Sequence, residues 1–314
     1  MGVFTHFHED HIGAVTKCIR SYDVLITHPI TFKGIAALKP GIEYLEQWAP
    51  QEYGTTYRMS NGLVRLLKAN HIPGSSQVYV ESEKDTMLYS GDFNYPDIQT
   101  EHAEYLVLDA NHGDPYYDGK TDRKSVKNRL FEDVDEFTNT GKSLVIQTSS
   151  GTLQEIVRHF EVGYGKKLSS DVHIVMDEKQ RDVLECIYDY EKDEFRHIII
   201  YDSREFWRLV RENQKCIIFS ITTSILPDNL RSFYKIIIDK YRFTKENASI
   251  IPFNGGCRYN LAAHASINDI YRYVEAINPK YVITDGSRSG FAKQLAKLVE
   301  QKFPKVRSVV RPLT

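Results

Sequence analysis

The sequence predicts an α/β protein in three stretches, the middle one built on a mostly parallel sheet. Three observations carry this. Residues 143–221 alternate apolar strand patterns with helical ones, which is the signature of parallel strands joined by helices. Residues 77–89 read as two strands around a polar turn, and residues 267–302 read as helix, strand, helix. A chain of 314 residues can bury one large core or two modest ones, and two domains are expected.

Taken in order, the first element is the run Thr5-His6-Phe7-His8-Glu9-Asp10-His11. On an extended strand, positions two apart project to one face, so His6 and His8 can grip a single cation. Asp10 and His11 follow at a strand-to-helix turn, where adjacent side chains diverge towards a second cation, and Ile12-Gly13-Ala14 opens a small helix. Imidazole with carboxylate suits zinc or a similar transition metal, and two clustered sites suit hydrolysis assisted by two metals. His71 follows on a loop before a strand. Gln77 to Glu81 and Thr86 to Tyr89 then form a hairpin around Ser82-Glu83-Lys84-Asp85, which delivers Asp92 at its end. Leu106-Val107-Leu108 is an apolar strand ending in Asp109.

In the middle stretch the strands are Ser143 to Thr148, Val172 to Met176, His197 to Tyr201 and Cys216 to Ile221. The helices between them are Thr152 to Phe160, Lys179 to Tyr188 and Arg204 to Glu212. Ser149, Ser150 and Gly151 sit between a strand and a helix, where hydroxyls and amides could hold a substrate phosphate, or where Ser and Thr simply cap the helix. The last stretch has helices at 267–276 and 289–302 around the strand Tyr281 to Thr284, which leads to Asp285.

The motifs at Thr5–His11, Asn70-His71-Ile72-Pro73-Gly74-Ser75 and Ser90-Gly91-Asp92-Phe93 stand in the order seen in the metallo-β-lactamase superfamily, whose signature they resemble. That resemblance implies an αββα sandwich formed by residues 1–118 and 256–314, with Asp92 bridging two metals. Asp109, the segment Ala262-Ala263-His264-Ala265-Ser266 and the segment Pro279 to Gly286 resemble motifs A, B and C of the β-CASP nucleases. This branch includes cleavage-and-polyadenylation endonucleases, ribonuclease J and Artemis-type DNA nucleases. Residues 119–255 would then be the inserted β-CASP domain, with the active site in the cleft between the two domains.

The resemblance also implies roles. His6, His8 and His71 hold one zinc ion; Asp10, His11 and Asp285 hold a second; Asp92 bridges them. Asp10 steers the attacking water, and His264, oriented by Asp109, stabilises charge on phosphorus or protonates the leaving oxygen. The expected reaction is hydrolysis of phosphodiester bonds in single-stranded nucleic acid. RNA is favoured, as in mRNA 3′-end processing or exonucleolytic trimming, because the compact chain and the run Asp109 to Asp114 look like small microbial RNA-processing members. An Artemis-like DNA exonuclease is the alternative, since Ala69 to Ser75 looks closer to that branch. A catalytically weak or inactive scaffold subunit is the third reading. A thioesterase or lactonase would share the first three motifs but would not need the insert or His264.

Two departures from the pattern set further expectations. Only five residues precede His6, where the family has strands and an aspartate-bearing motif. Either the chain is a piece of a longer one or its first sheet is short, and an exposed sheet edge favours a homodimer. The family's aspartate there orients metal ligands, so metal affinity would fall. Asp285 stands where RNA-cleaving members place a histidine. A carboxylate there gives the second site a harder character, suited to zinc or manganese, or leaves a one-metal site.

Composition narrows less. With 40 Lys and Arg against 42 Asp and Glu, the whole chain has no general attraction for nucleic acid. The run Gly119 to Arg129 is a local basic candidate, or else a solvated linker and first helical turn. Cys18, Cys186, Cys216 and Cys257 are widely spaced and form no C-x-x-C pair, as expected of reduced thiols in a cytoplasmic protein. No apolar run reaches membrane-spanning length and the start lacks a signal-peptide layout, so a soluble protein without membrane contact is expected.

Overall fold

The computed structural model describes residues 1–13, 15–115, 123–162, 168–191, 194–222, 230, 233–239, 250–287 and 291–311. Ala14 and residues 119–122 of the basic run lie outside the described residues, as does the expected boundary at residue 118. The chain divides into two compact units, Met1–Thr121 with Ala263–Thr314, and Asp122–Ala262.

The first unit is built on two sheets. Gly2–Phe4, Leu25–Thr27 and Trp48–Pro50 form a three-stranded parallel sheet. A seven-stranded sheet runs in the order Arg307–Arg311, Tyr281–Asp285, Tyr105–Leu108, Thr86–Tyr89, Ser76–Ser82, Gly62–Lys68, Thr56–Met59. Its first four strands pair in parallel and the rest antiparallel. The alternation of these strands sorts their side chains by face. Val64, Leu66 and Val78 meet Ile26 of the small sheet, while Leu88, Leu106, Leu108 and Val282 pack on the other side against Ile270, Val274, Leu295 and Val299. Those last four come from the helices Ile267–Ile277 and Ala292–Lys302. On the far side of the small sheet lies the helix Pro29–Leu38, where Phe32 meets Trp48 and Gly34 accepts the ring of Phe7. A Cβ at Gly34 would lie 2.8 Å from that ring, so only glycine fits. The layers therefore run helix, sheet, sheet, helix.

Two local features differ from the pattern reading. The strand at the start of the chain ends at Phe4, so His6 and His8 lie on the loop after it, and His8 is the N-cap of the short helix Glu9–Ile12. Residues 29–38, to which the sequence reading assigns no element, are helical. Ile30, Gly34, Ile35 and Leu38 share its buried face, the His28 side chain accepts from the Ile30 amide, and Pro29 opens the first turn. The breaker residues Pro29 and Gly34 hide that periodicity.

The second unit holds seven strands in the order Ile198–Ile200, Val172–Met176, Lys215–Ile221, Leu144–Thr148, Tyr234–Asp239, Gly256–Asn260, Ile250–Phe253. Every neighbouring pair is parallel except the last. Leu144 and Ile146 enter one core and Val145 the other, because the central strands are covered on both faces. That is why they read as unbroken apolar runs. The helices Arg123–Asn139, Thr152–Val162, Glu178–Glu191 and Arg204–Arg211 accompany the sheet. Burial pushes the Cys216 thiol up to about 11. Among the described residues, no helix is long and apolar enough to cross a membrane.

Candidate metal centre

Three loops of the first unit bring the site together. The loop after Phe4 carries His6 and His8, the loop before Ser76 carries His71, and the loop after Tyr89 carries Asp92. Each is pinned locally. The Ser75 hydroxyl accepts from the amides of His71 and Ile72, and Thr31 donates to the Gly74 carbonyl at 2.7 Å. Gly91 has φ +55°, and a Cβ there would lie 2.9 Å from the Ser76 carbonyl oxygen, so the turn into Asp92 requires glycine.

His8 Nδ1 lies 3.1 Å from His6 Nε2 and 3.1 Å from His71 Nε2. Asp92 Oδ2 lies 3.7 Å from both His6 Nε2 and His71 Nε2. All four residues are buried, and they offer one ligand atom each within 4.8 Å of one another. The tautomer of His71 follows from its partner. A carbonyl only accepts, so Nδ1 carries the proton that meets the Ala263 oxygen at 2.5 Å, and Nε2 turns a lone pair to the cluster. Tetrahedral zinc, with bonds to imidazole of about 2.0–2.1 Å, holds neighbouring ligand atoms about 3.3 Å apart, and this donor set fits it. Burial opposes ionisation of Asp92, yet His264, His11, His71 and His6 together hold its carboxyl well below the usual carboxylate range.

A second group joins the first through Asp92. Asp92, Asp109 and His264 also offer ligand atoms within 4.8 Å of one another. His264 Nδ1 donates to Asp109 Oδ2 at 2.6 Å, and the ring centres of His71 and His264 are 5.2 Å apart. The segment bearing His264 is tied down on both sides: the Ala263 carbonyl accepts from His71 and from Asn94 Nδ2, and the Ala265 amide donates to the Phe93 carbonyl at 2.8 Å. Ser266 and Asp269 then form a capping box that starts the next helix.

Of the residues singled out from the sequence, His6, His8, His71, Asp92, Asp109 and His264 thus come together. His11 stands at the margin, with Nε2 3.3 Å from Asp92 Oδ2. Asp10 and Asp285 belong to neither group. The Asp10 side chain is mostly exposed, with Oδ2 3.9 Å from His11 Nε2, and Asp285 Oδ1 accepts from the Ser287 amide at 2.9 Å. Ser149, Ser150 and Gly151 lie in the other unit before the helix Thr152–Val162. There the Ser149 hydroxyl donates to Thr152 Oγ1 at 3.3 Å and the Gly151 amide to Gln154 Oε1 at 2.7 Å. Asn94 and Asn111 belong to no ligand motif of the sequence. Both stand two residues after an aspartate of the site, which is the one signal that could have marked them.

A buried cluster of histidines and aspartates of this kind is consistent with a metal-dependent hydrolase. Residues 3–134 match the model of the metallo-β-lactamase superfamily. An RNase J-like protein of Methanocaldococcus jannaschii is 25% identical over 177 residues, which cover 49% of this chain and 42% of that protein. RNase aCSPSF2 of Saccharolobus solfataricus is 26% identical over 175 residues, covering 47% of this chain and 35% of that protein. The matched part is less than half the length of either relative. The crystal structure of a protein of unknown function from Enterococcus faecalis V583 shares the fold, with a TM-score of 0.63 over 98% of this chain and 78% of that one, at 13% identity.

Proposed function

In its residues 3–134 this chain belongs to the metallo-β-lactamase superfamily, and from that premise we propose that it is a metal-dependent nuclease that hydrolyses phosphodiester bonds of single-stranded RNA. The observation that carries the reading is the buried His6, His8, His71 and Asp92 group beside a hydrogen-bonded Asp109–His264 pair. The two archaeal relatives named as RNases support the choice of substrate.

His6, His8, His71 and Asp92 would hold zinc, with His11, Asp10 and Asp92 next to a second ion. Zinc bound there would polarise the phosphoryl oxygen and lower the pKa of water. The chain's own residues supply the rest. Thr5 Oγ1, 3.1 Å from His6 Nδ1, and the Ala263 carbonyl at His71 fix two of the imidazoles in orientation. Asp109 Oδ2 accepts the Nδ1 proton of His264, so Nε2 is the atom that would pass a proton to the departing sugar oxygen. Asp285, outside both groups, favours one variant of the reading: a site with weaker hold on a second ion, and in the extreme a scaffold subunit.

The test uses purified protein with zinc or manganese on end-labelled single-stranded RNA and DNA of one sequence. RNA cleavage that needs metal and falls about 10³-fold in Asp92→Ala is expected, a loss of several kcal/mol of transition-state stabilisation. Preferred cleavage of DNA would shift the reading to a DNA exonuclease. Bound metal without cleavage of either strand would overturn it in favour of a scaffold.

A further inference from the structure

We infer that Asn111 is a positioning residue for the Asp109–His264 pair, an inference that rests on the nuclease reading for its effect on rate but not for its geometry. Asp109 ends the strand Tyr105–Leu108 and is buried, and its carboxylate has two oxygens to satisfy. Oδ1 accepts twice from Asn111, from the backbone amide at 2.9 Å and from the side-chain Nδ2 at 2.9 Å. Oδ2 is thereby left to His264 Nδ1 at 2.6 Å. The Asp109 amide is held in turn by the Ser90 hydroxyl at 3.0 Å. The carboxylate is gripped from behind and presents one edge to the histidine.

The asparagine amide has a particular fitness here. Its NH₂ group must face the carboxylate, since its own carbonyl oxygen would repel it, so Asp109 fixes the orientation of the amide as the amide fixes Asp109. Nδ2 is also 3.3 Å from His264 Nδ1. Both of those nitrogens carry protons, so they compete for Asp109 and do not bond each other. Two donors sharing one carboxylate keep each on its own oxygen, and this holds the imidazole plane in line with Oδ2. An aspartate at position 111 would have nearly the same shape and the opposite effect, with no proton to give and a negative charge against Asp109.

The comparison of Asn111→Asp with Asn111→Ala separates positioning from packing. Groups that orient a metal-site residue typically change activity about 10–100-fold when removed. We expect kcat to fall about tenfold in Asn111→Ala, which keeps the backbone donor, and about 100-fold in Asn111→Asp, with KM and bound zinc as in the wild type. A packing role predicts the reverse order, because the aspartate fills the space and the alanine does not. A second readout is independent of turnover: the downfield Nδ1 proton of His264 in the NMR spectrum, assigned by its loss in His264→Ala, should shift in both variants. An unmoved His264 signal, or Asn111→Asp equal to the wild type, would overturn the assignment of Asn111. A shifted signal in a protein that cleaves neither RNA nor DNA would keep that assignment and sink the nuclease reading alone.

Discussion

The two units bury polar groups in opposite ways. Among the described residues of Asp122–Ala262, the carboxylates of Glu161 and Glu155 meet basic partners. Arg196 Nε lies 2.7 Å from Glu161 Oε1, and its other nitrogens donate to the carbonyls of Leu168, Ser169 and Val172. Glu155 takes both Arg123 and Lys127, which hold its carboxyl below the ordinary value although burial opposes this. In the other unit, like groups converge: three imidazole nitrogens and a carboxylate oxygen face a common point. A network closed on itself is a structural brace. One that gathers lone pairs is completed only by a cation or a proton.

Three experiments test that contrast. The largest effect is expected at the brace. Glu161→Ala leaves Arg196 facing carbonyls alone and should cost about 4 kcal/mol in urea denaturation, while zinc binding stays intact. Loss of zinc binding in that variant would mean the two kinds of network are not separable.

The second experiment concerns His28, a buried imidazole of the first unit that belongs to neither metal group. Its Nδ1 accepts from the Ile30 amide and its ring stacks on Tyr53. Burial, partly offset by Glu52, lowers its pKa from 6.5 to about 4. Between those values the unfolded chain binds a proton that the folded chain does not, so stability rises with pH. The contribution is fully present above pH 6.5 and is lost, by about 3 kcal/mol, as pH falls towards 4. His28→Asn keeps the cap and removes the titration, so its urea midpoint should fall less than that of the wild type between pH 7 and pH 4.5. Parallel curves would show that burial of this histidine has no such cost.

The smallest effect is metal-linked. Zinc at about 100 times its Kd should stabilise the wild type by about 2.7 kcal/mol and leave Asp92→Ala unmoved. Equal stabilisation of both proteins in a thermal melt would place the ion elsewhere.

Much of this contrast is legible in the sequence. The ligand types at His6, His8, His71 and Asp92 announce themselves by spacing and order, and the apolar runs at 144–148, 172–176 and 215–221 announce a sheet covered on both faces. The strand Tyr234–Asp239 and the hairpin Ile250–Asn260 escaped because isolated runs of isoleucine and tyrosine do not fix a partner. Asn111 escaped for a different reason. Its role depends on where a carboxylate two residues earlier points, and no pattern of residue types records that. The candidate metal ligands are legible as chemistry, whereas the residues that orient them exist only as geometry.

The first unit is not continuous in sequence, and this affects how the protein is made. His71 meets the Ala263 carbonyl across 192 residues, and Lys280 pairs with Glu104 across 176. A ribosome will have released His6, His8, His71 and Asp92 long before it makes His264 or the strand Tyr281–Asp285 that lies beside Tyr105–Leu108. Until then the apolar edge of that strand has no neighbour, while the intervening unit, a contiguous segment, is free to fold first. Contacts so distant in sequence close slowly and leave aggregation-prone surface exposed in the interval. The nascent chain would carry the four candidate metal ligands before it has His264.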